Sequence, residues 1–437
     1  MAIRRTSNSW LPSLAALVLC FAGAATQAQH AGHGGASAPA AMAASSPASA
    51  SKAARKPRPE WGMGAAFSND GALWWTGLDA NKQLIVQRAS PAAVDAAWKA
   101  ARTGAGPLSL QWDSARTVDL AGDTVAADGE SHPKILFGPG AVAAIAYTKP
   151  LTKPFTGEIR ILHSTDGGAT FSLPHTVHQD RQEITHRFDS FAFDNEGSLH
   201  AIWIDKRDLE LAPKVNGKPS YRGAAIYTTT SRDGGATFGA DIKVADHSCE
   251  CCRIATAQGA DGKVRAVWRH VFEPNIRDHA LAVLDGTPNP KLSRASFDDW
   301  RVDGCPHHGP GLVPSADGGF HMVWFGIRAG QAGVRYARLR PDGTPLADSV
   351  QRIPDDHAEH ASVVAQGDQV AVVWRSSEGM RTSLKAWLSR DGGRSFTEQL
   401  LAQVEGENDF PRIVQQGARM AVLWRTPKEV QVHALAF

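Results

Sequence analysis

The string Asp-Gly-Gly-x-Thr/Ser-Phe recurs at Asp166–Phe171, Asp233–Phe238 and Asp391–Phe396, each time with a serine two residues before the aspartate. Such a string dictates a tight turn. The carboxylate accepts backbone N–H bonds, a glycine takes the positive φ, and the closing phenylalanine anchors a hairpin in apolar packing. A unit repeated along the chain in this way means stacked copies of one β-module, each too small to bury its own apolar face.

A second repeat underlies the first. Turn signals at Asn69-Asp70-Gly71, Gly138-Pro139-Gly140, Asn195-Glu196-Gly197, Asp261-Gly262, Asp317-Gly318-Gly319, Gly367-Asp368 and Gln416-Gly417 each precede a short alternating apolar strand. Those strands run to Trp75, Tyr147, Trp203, Trp268, Trp324, Trp374 and Trp424, which are expected in the core. In one period the spacing predicts strands at 190–194, 199–204, 224–230 and about 242–245, with the Asp-Gly-Gly turn between the third and fourth. Asp285-Gly286-Thr287 and Asp342-Gly343-Thr344 stand at the same place in the next two periods. The last period, 412–437, has only three strands; the first residues of the mature fold are one candidate for the fourth.

The ends of the chain read differently. Residues 1–28 have the form of a secretory signal: Arg4 and Arg5, an apolar stretch over 11–23, and Thr26-Gln27-Ala28 as a small-residue cleavage site. Leu19 before Cys20 does not suit a lipoprotein signal. Residues 29–58 are rich in Ala, Ser, Pro and Gly, and read as a flexible tether carrying His30, His33 and Met42. Residues 59–437 form a single domain. A net charge of +2 over 437 residues is too balanced for a nucleic-acid binder, and the mature chain has no apolar run long enough to span a membrane. The expected location is extracytoplasmic, most simply the periplasm.

Ser164-Thr165-Asp166-Gly167-Gly168-Ala169-Thr170-Phe171 resembles the Asp-box of sialidases and other bacterial-neuraminidase-repeat proteins. The resemblance implies an all-β, β-propeller fold with four-stranded antiparallel blades. Seven hairpins point to seven blades where sialidases have six, the alternative count. It also implies that turns between third and fourth strands lie on one face. Connections from one blade to the next would then converge on the central channel at the other.

Those connections carry much of the chain's metal-ligand chemistry. In order they hold His132; His186 with Arg187; Cys249, Cys251 and Cys252 with Arg253; Cys305, His307 and His308; His357 and His360; and Asp409 with Arg412. Loops between second and third strands open on the same face and add His270, Arg277 and Met380. Cys-x-Cys-Cys against Cys-Pro-His-His offers sulfur and imidazole donors of the kind that hold copper(I) or zinc, and Arg253 beside the thiols favours thiolate. Alternation on a strand would turn Cys249 and Cys251 the same way and leave Cys252 to face Cys305. The competing reading is disulfide formation, since all four mature cysteines belong to an exported chain.

Sialidase chemistry itself fits poorly. In that family an Arg-Ile-Pro element precedes the first Asp-box, whereas here it occurs only at Arg352–Pro354, and no tyrosine lies late enough to be the nucleophile. Asp189, Asp355 and Asp409 remain as carboxylates for another glycosidase. Ser248–Arg253, Val267-Trp268-Arg269, Ile276-Arg277-Asp278, Asp299-Trp300-Arg301 and Cys305-Pro306 resemble exported bacterial repeat proteins that are sialidase-like without the sialidase site. The expected function is therefore periplasmic metal binding, with copper the first cofactor and zinc the second, at a mouth open to a metal ion or small ligand. The alternatives are a glycoside hydrolase and a disulfide-stapled scaffold for a glycan or periplasmic protein.

Overall fold

The computed structural model describes residues 60–101, 106–304 and 306–437. The signal and tether readings, with His30, His33 and Met42, lie outside the described residues, and so does Cys305. Among the described residues no helix is long and apolar enough to cross a membrane.

Seven four-stranded antiparallel sheets form a seven-bladed β-propeller. The third blade shows the pattern: His186–Phe193, Leu199–Asp205, Ala224–Ser231 and Ile242–Ser248 pair in that order. First strands line the axis and adjoin their neighbours around most of the ring. Every expected turn between first and second strands is present. Each contains a glycine at positive φ, between 56° at Gly417 and 91° at Gly71, a conformation that strains other residues.

Core aromatics sit at the expected places, from 0% exposure at Trp203 to 5% at Trp75. Their polar tips follow a rule that repeats around the ring. Tyr147 donates to Asp123 (2.9 Å), Trp203 to Asp205 (2.8 Å), Trp324 to Asp298 (2.7 Å), Trp374 to Asp355 (3.0 Å) and Trp424 to the Asp409 carbonyl (2.9 Å). Buried indole N–H groups need such acceptors. Trp75 and Trp268 have none.

The Ser-x-Asp-Gly-Gly turns join third strands to fourth strands. Ser164 Oγ donates to Asp166 (2.7 Å) and accepts from Gly168 N (2.9 Å), while Asp166 holds the N–H and hydroxyl of Thr170 (2.9 and 2.6 Å). Ser231/Asp233 and Ser389/Asp391 repeat the arrangement. Phe171, Phe238 and Phe396 then pack against the apolar layers between blades. The last of these turns is tight: a Cβ at Gly393, where φ is 80°, would lie 1.7 Å from the Tyr336 hydroxyl. Gly393→Ala should therefore destabilise by about 2–4 kcal/mol, combining left-handed strain with overpacking. Urea denaturation of the variant measures this, and a loss below about 0.5 kcal/mol, the range of neutral surface changes, would refute it.

The seventh blade closes the ring in an unexpected way. Its fourth strand is Gly106–Pro107, paired with Val430–Ala434 through Ala434↔Gly106 and His433↔Pro107, and extended by Leu108 N to Val432 O (2.7 Å). That strand comes from an excursion between the third (Leu84–Ala89) and fourth (Arg116–Thr117) strands of the first blade, not from the start of the fold. The excursion includes a helix, Pro91–Ala100, capped by Ser90 and started by a proline that suits the first helical turn. Val94 and Ala97 bury into an apolar cluster shared with Val414, Leu423 and Val432 of the seventh blade.

Candidate metal centre

The connection from the third blade to the fourth begins where the strand ends, at Ser248. Cys249 is therefore already on a loop, and strand alternation does not orient it. Instead the chain bends so that Cys249, Cys251 and Cys252 turn inward together. Their sulfurs form a triangle with sides of 3.6, 3.9 and 3.9 Å. All three are exposed by 4% or less and packed in the apolar layer that also contains Trp268.

Electrostatics at the triangle favour a charged sulfur. Arg277 Nη1 donates to Cys249 Sγ at 3.4 Å. S–H donation from Cys251 and Cys252 holds Cys249 well below the usual thiol range against the opposing effect of burial, with Arg269 and Arg277 assisting. Burial pushes Cys252 upward, and its contact with Cys249 adds to that. The cluster thus suits a thiolate at Cys249 and a protonated thiol at Cys252. Glu250 between them pairs with Lys206.

Among the described residues these three are the one group of potential ligand atoms lying within 4.8 Å of one another. His307 and His308 are outside it. His307 is half-buried at φ 55°. His308 stacks on Phe325 (4.3 Å) and His360 (4.5 Å), and His360 stacks on Phe410 (3.4 Å), making a ring column across the axial region. Burial holds His308 and His360 well below the usual imidazole range, in His360 against the opposing pull of Glu359.

Other mouth residues are committed to structure. Arg253 donates its backbone N–H and Nη1 to Glu130, both at 2.7 Å, and Nη2 to the Ala361 carbonyl (2.9 Å). Arg412 reaches the carbonyls of Met63 (2.8 Å) and Gly129 (3.1 Å). His186 stacks on His178 (3.9 Å), Arg187 lies 3.7 Å from Asp128 and covers Phe188, and His270 packs edge-on to Phe272. His357 is exposed, with its N–H on Asp355 (3.0 Å). The three candidate glycosidase carboxylates are buried and engaged. Asp189 is held by Lys134 (2.8 Å), Asp355 by Trp374 and Lys385, and Asp409 by the Met63 N–H (3.0 Å).

Glu130 was not singled out by the sequence, yet it ties this region together. Asp128 accepts from the N–H groups of Glu130 and Ser131 (3.0 and 2.8 Å), and Gly129 passes so close to Phe410 that a Cβ would lie 2.3 Å from its ring. The carboxylate so placed receives Arg253 and the Gly309 N–H (3.2 Å), with His360 at 3.5 Å. The local signal, an Asp-Gly-Glu turn in a connection, is real but common.

The sequence matches no protein-family model and no curated protein. Solved structures do match. An ulvan lyase, a polysaccharide lyase solved bound to -[GlcA(1-4)Rha3S]-, superposes with a TM-score of 0.50 at 11% identity, covering 85% of this chain and 91% of its own. The likeness is one of fold. A protein of unknown function from Dyadobacter fermentans matches at TM-score 0.49 and 13% identity, covering 71% of this chain and 97% of its own. An α-L-arabinofuranosidase from Fusarium graminearum matches at 0.48 and 11%, covering 79% and 95%.

Proposed function

We propose that this chain is an exported metal-binding propeller that holds one soft ion, copper(I) first and zinc second, on Cys249, Cys251 and Cys252. The observation that carries the reading is the sulfur triangle. Metal–sulfur bonds of about 2.3 Å place the sulfurs of a three- or four-coordinate ion about 3.8–4.0 Å apart. The sides here are 3.6, 3.9 and 3.9 Å, so the thiols stand at nearly the spacing an ion requires. Soft sulfur donors favour copper(I), and zinc is the second ion that such ligands hold.

Arg277 and Arg269 offset the negative charge that accumulates as the remaining protons leave. Uptake of the ion therefore releases protons and tightens as pH rises. Reduced protein purified without a metal-affinity tag should take up about one copper(I) per chain and develop an ultraviolet sulfur-to-copper band. The Cys249→Ser/Cys251→Ser/Cys252→Ser variant should lose both. Undiminished stoichiometric uptake in that variant, or none by the parent, sinks the assignment.

A further inference from the structure

The seam between the first and seventh blades is open around Trp75, one of the two core tryptophans without an acceptor. A cleft of about 890 Å³ is lined by Trp61, Trp75, Trp112, Arg425, Lys428 and Gln403, among others. Trp61, whose Nε1 donates to Glu407 (2.9 Å), and Trp112 are partly exposed, and Lys428 and its neighbour Glu429, which also lines the cleft, are exposed. Arg425 is 6% exposed, and its guanidinium lies 5.3 Å from the centre of the Trp61 ring and 5.4 Å from that of Trp75. Nη2 donates to the Leu78 carbonyl, while Nη1 and Trp75 Nε1 are without hydrogen-bond partners. Asp409 and Asp79 attract this arginine from a distance but form no ion pair with it.

A buried guanidinium with no carboxylate beside it is costly to maintain, and planar, bidentate recognition of carboxylate is what arginine does best. Partly exposed indoles are flat apolar platforms of the kind on which sugar rings stack. We infer that the seam cleft binds an oligosaccharide bearing carboxylates, its rings lying on Trp61 and Trp112 and a uronate group meeting Arg425 and Lys428. The cleft is separate from the sulfur cluster, which lies between the third and fourth blades.

Calorimetric titration of the full chain with hexagalacturonate tests this, with its methyl ester and cellohexaose as uncharged counterparts and a heparin hexasaccharide as a sulfated one. Saturable binding of hexagalacturonate is expected, weakened about tenfold or more by its esterification and by Trp61→Ala or Trp112→Ala. Arg425→Gln should abolish the preference for the acid over the ester; if it does not fold, exposed Lys428→Gln should reduce that preference. The triple cysteine variant should bind the saccharide unchanged, which separates this site from the metal reading. Absence of hexagalacturonate binding, equal binding of acid and ester, preference for the sulfated sugar alone, or indifference to Trp112→Ala overturns the inference.

Discussion

Glu130→Ala should destabilise the protein by about 3–5 kcal/mol, the cost of leaving a buried partner charge uncompensated. Glu130 and Arg253 have side-chain exposures of 5% and 13%, and they are 123 residues apart in sequence. The carboxylate accepts two bonds from Arg253 and one from Gly309, so it joins the connections into the second, fourth and fifth blades. Truncation strands the guanidinium and the Gly309 N–H together. Urea denaturation gives the loss directly. Glu130→Gln/Arg253→Met, which removes both charges, should recover part of it, since a buried ion pair is replaceable by apolar packing. A loss under 1 kcal/mol for Glu130→Ala would show that water or a shifted loop replaces the carboxylate.

Mild acid should destabilise the protein through its buried histidines. Burial depresses ten histidines, among them His178 to about 2 and His321 to about 4, from an ordinary value of 6.5. His178 is locked neutral, its Nδ1 meeting the Asp180 carbonyl (2.6 Å) and its Nε2 accepting from Ile159 N (3.2 Å). The folded state keeps these rings neutral, while the unfolded chain takes up protons once pH falls below 6.5. Stability contributed by this difference is present above pH 6.5 and is lost as pH falls toward the folded values. At pH 5, His178 and His321 each account for about 2 kcal/mol on a scale of 1.36 kcal/mol per pH unit. Thermal melts should show Tm falling steadily between pH 7 and pH 5. A flat Tm over that interval would contradict the buried, neutral assignment.

Seven blades were legible because each repeats a glycine turn followed by an alternating strand that ends at an aromatic, and those signals are local. Strand limits read for the third blade differ from the observed ones by at most four residues, at the start of His186–Phe193, where a bulge between Arg187 and Ser190 breaks the alternation. The latch strand was not legible. Gly106–Pro107 has no periodicity of its own, and only its pairing with His433 and Ala434 makes it a strand. Spacing marked Cys249, Cys251 and Cys252 as a group, but a loop rather than a strand brings them together. Glu130 and Arg425 escaped notice because a single charged residue in a connection or at a strand end carries no pattern until folding brings its neighbours.

The excursion that supplies Gly106–Pro107 links the earliest-synthesised blade to the last one. Two residues cannot hold a strand without a partner, and Val430–Ala434 is made only after the other six blades. Six blades can stack while this segment waits, but the toroid stays an open crescent until the helix and strand dock. Such a long-range closure is slow, and it makes the seam the natural point at which the ring first parts under stress.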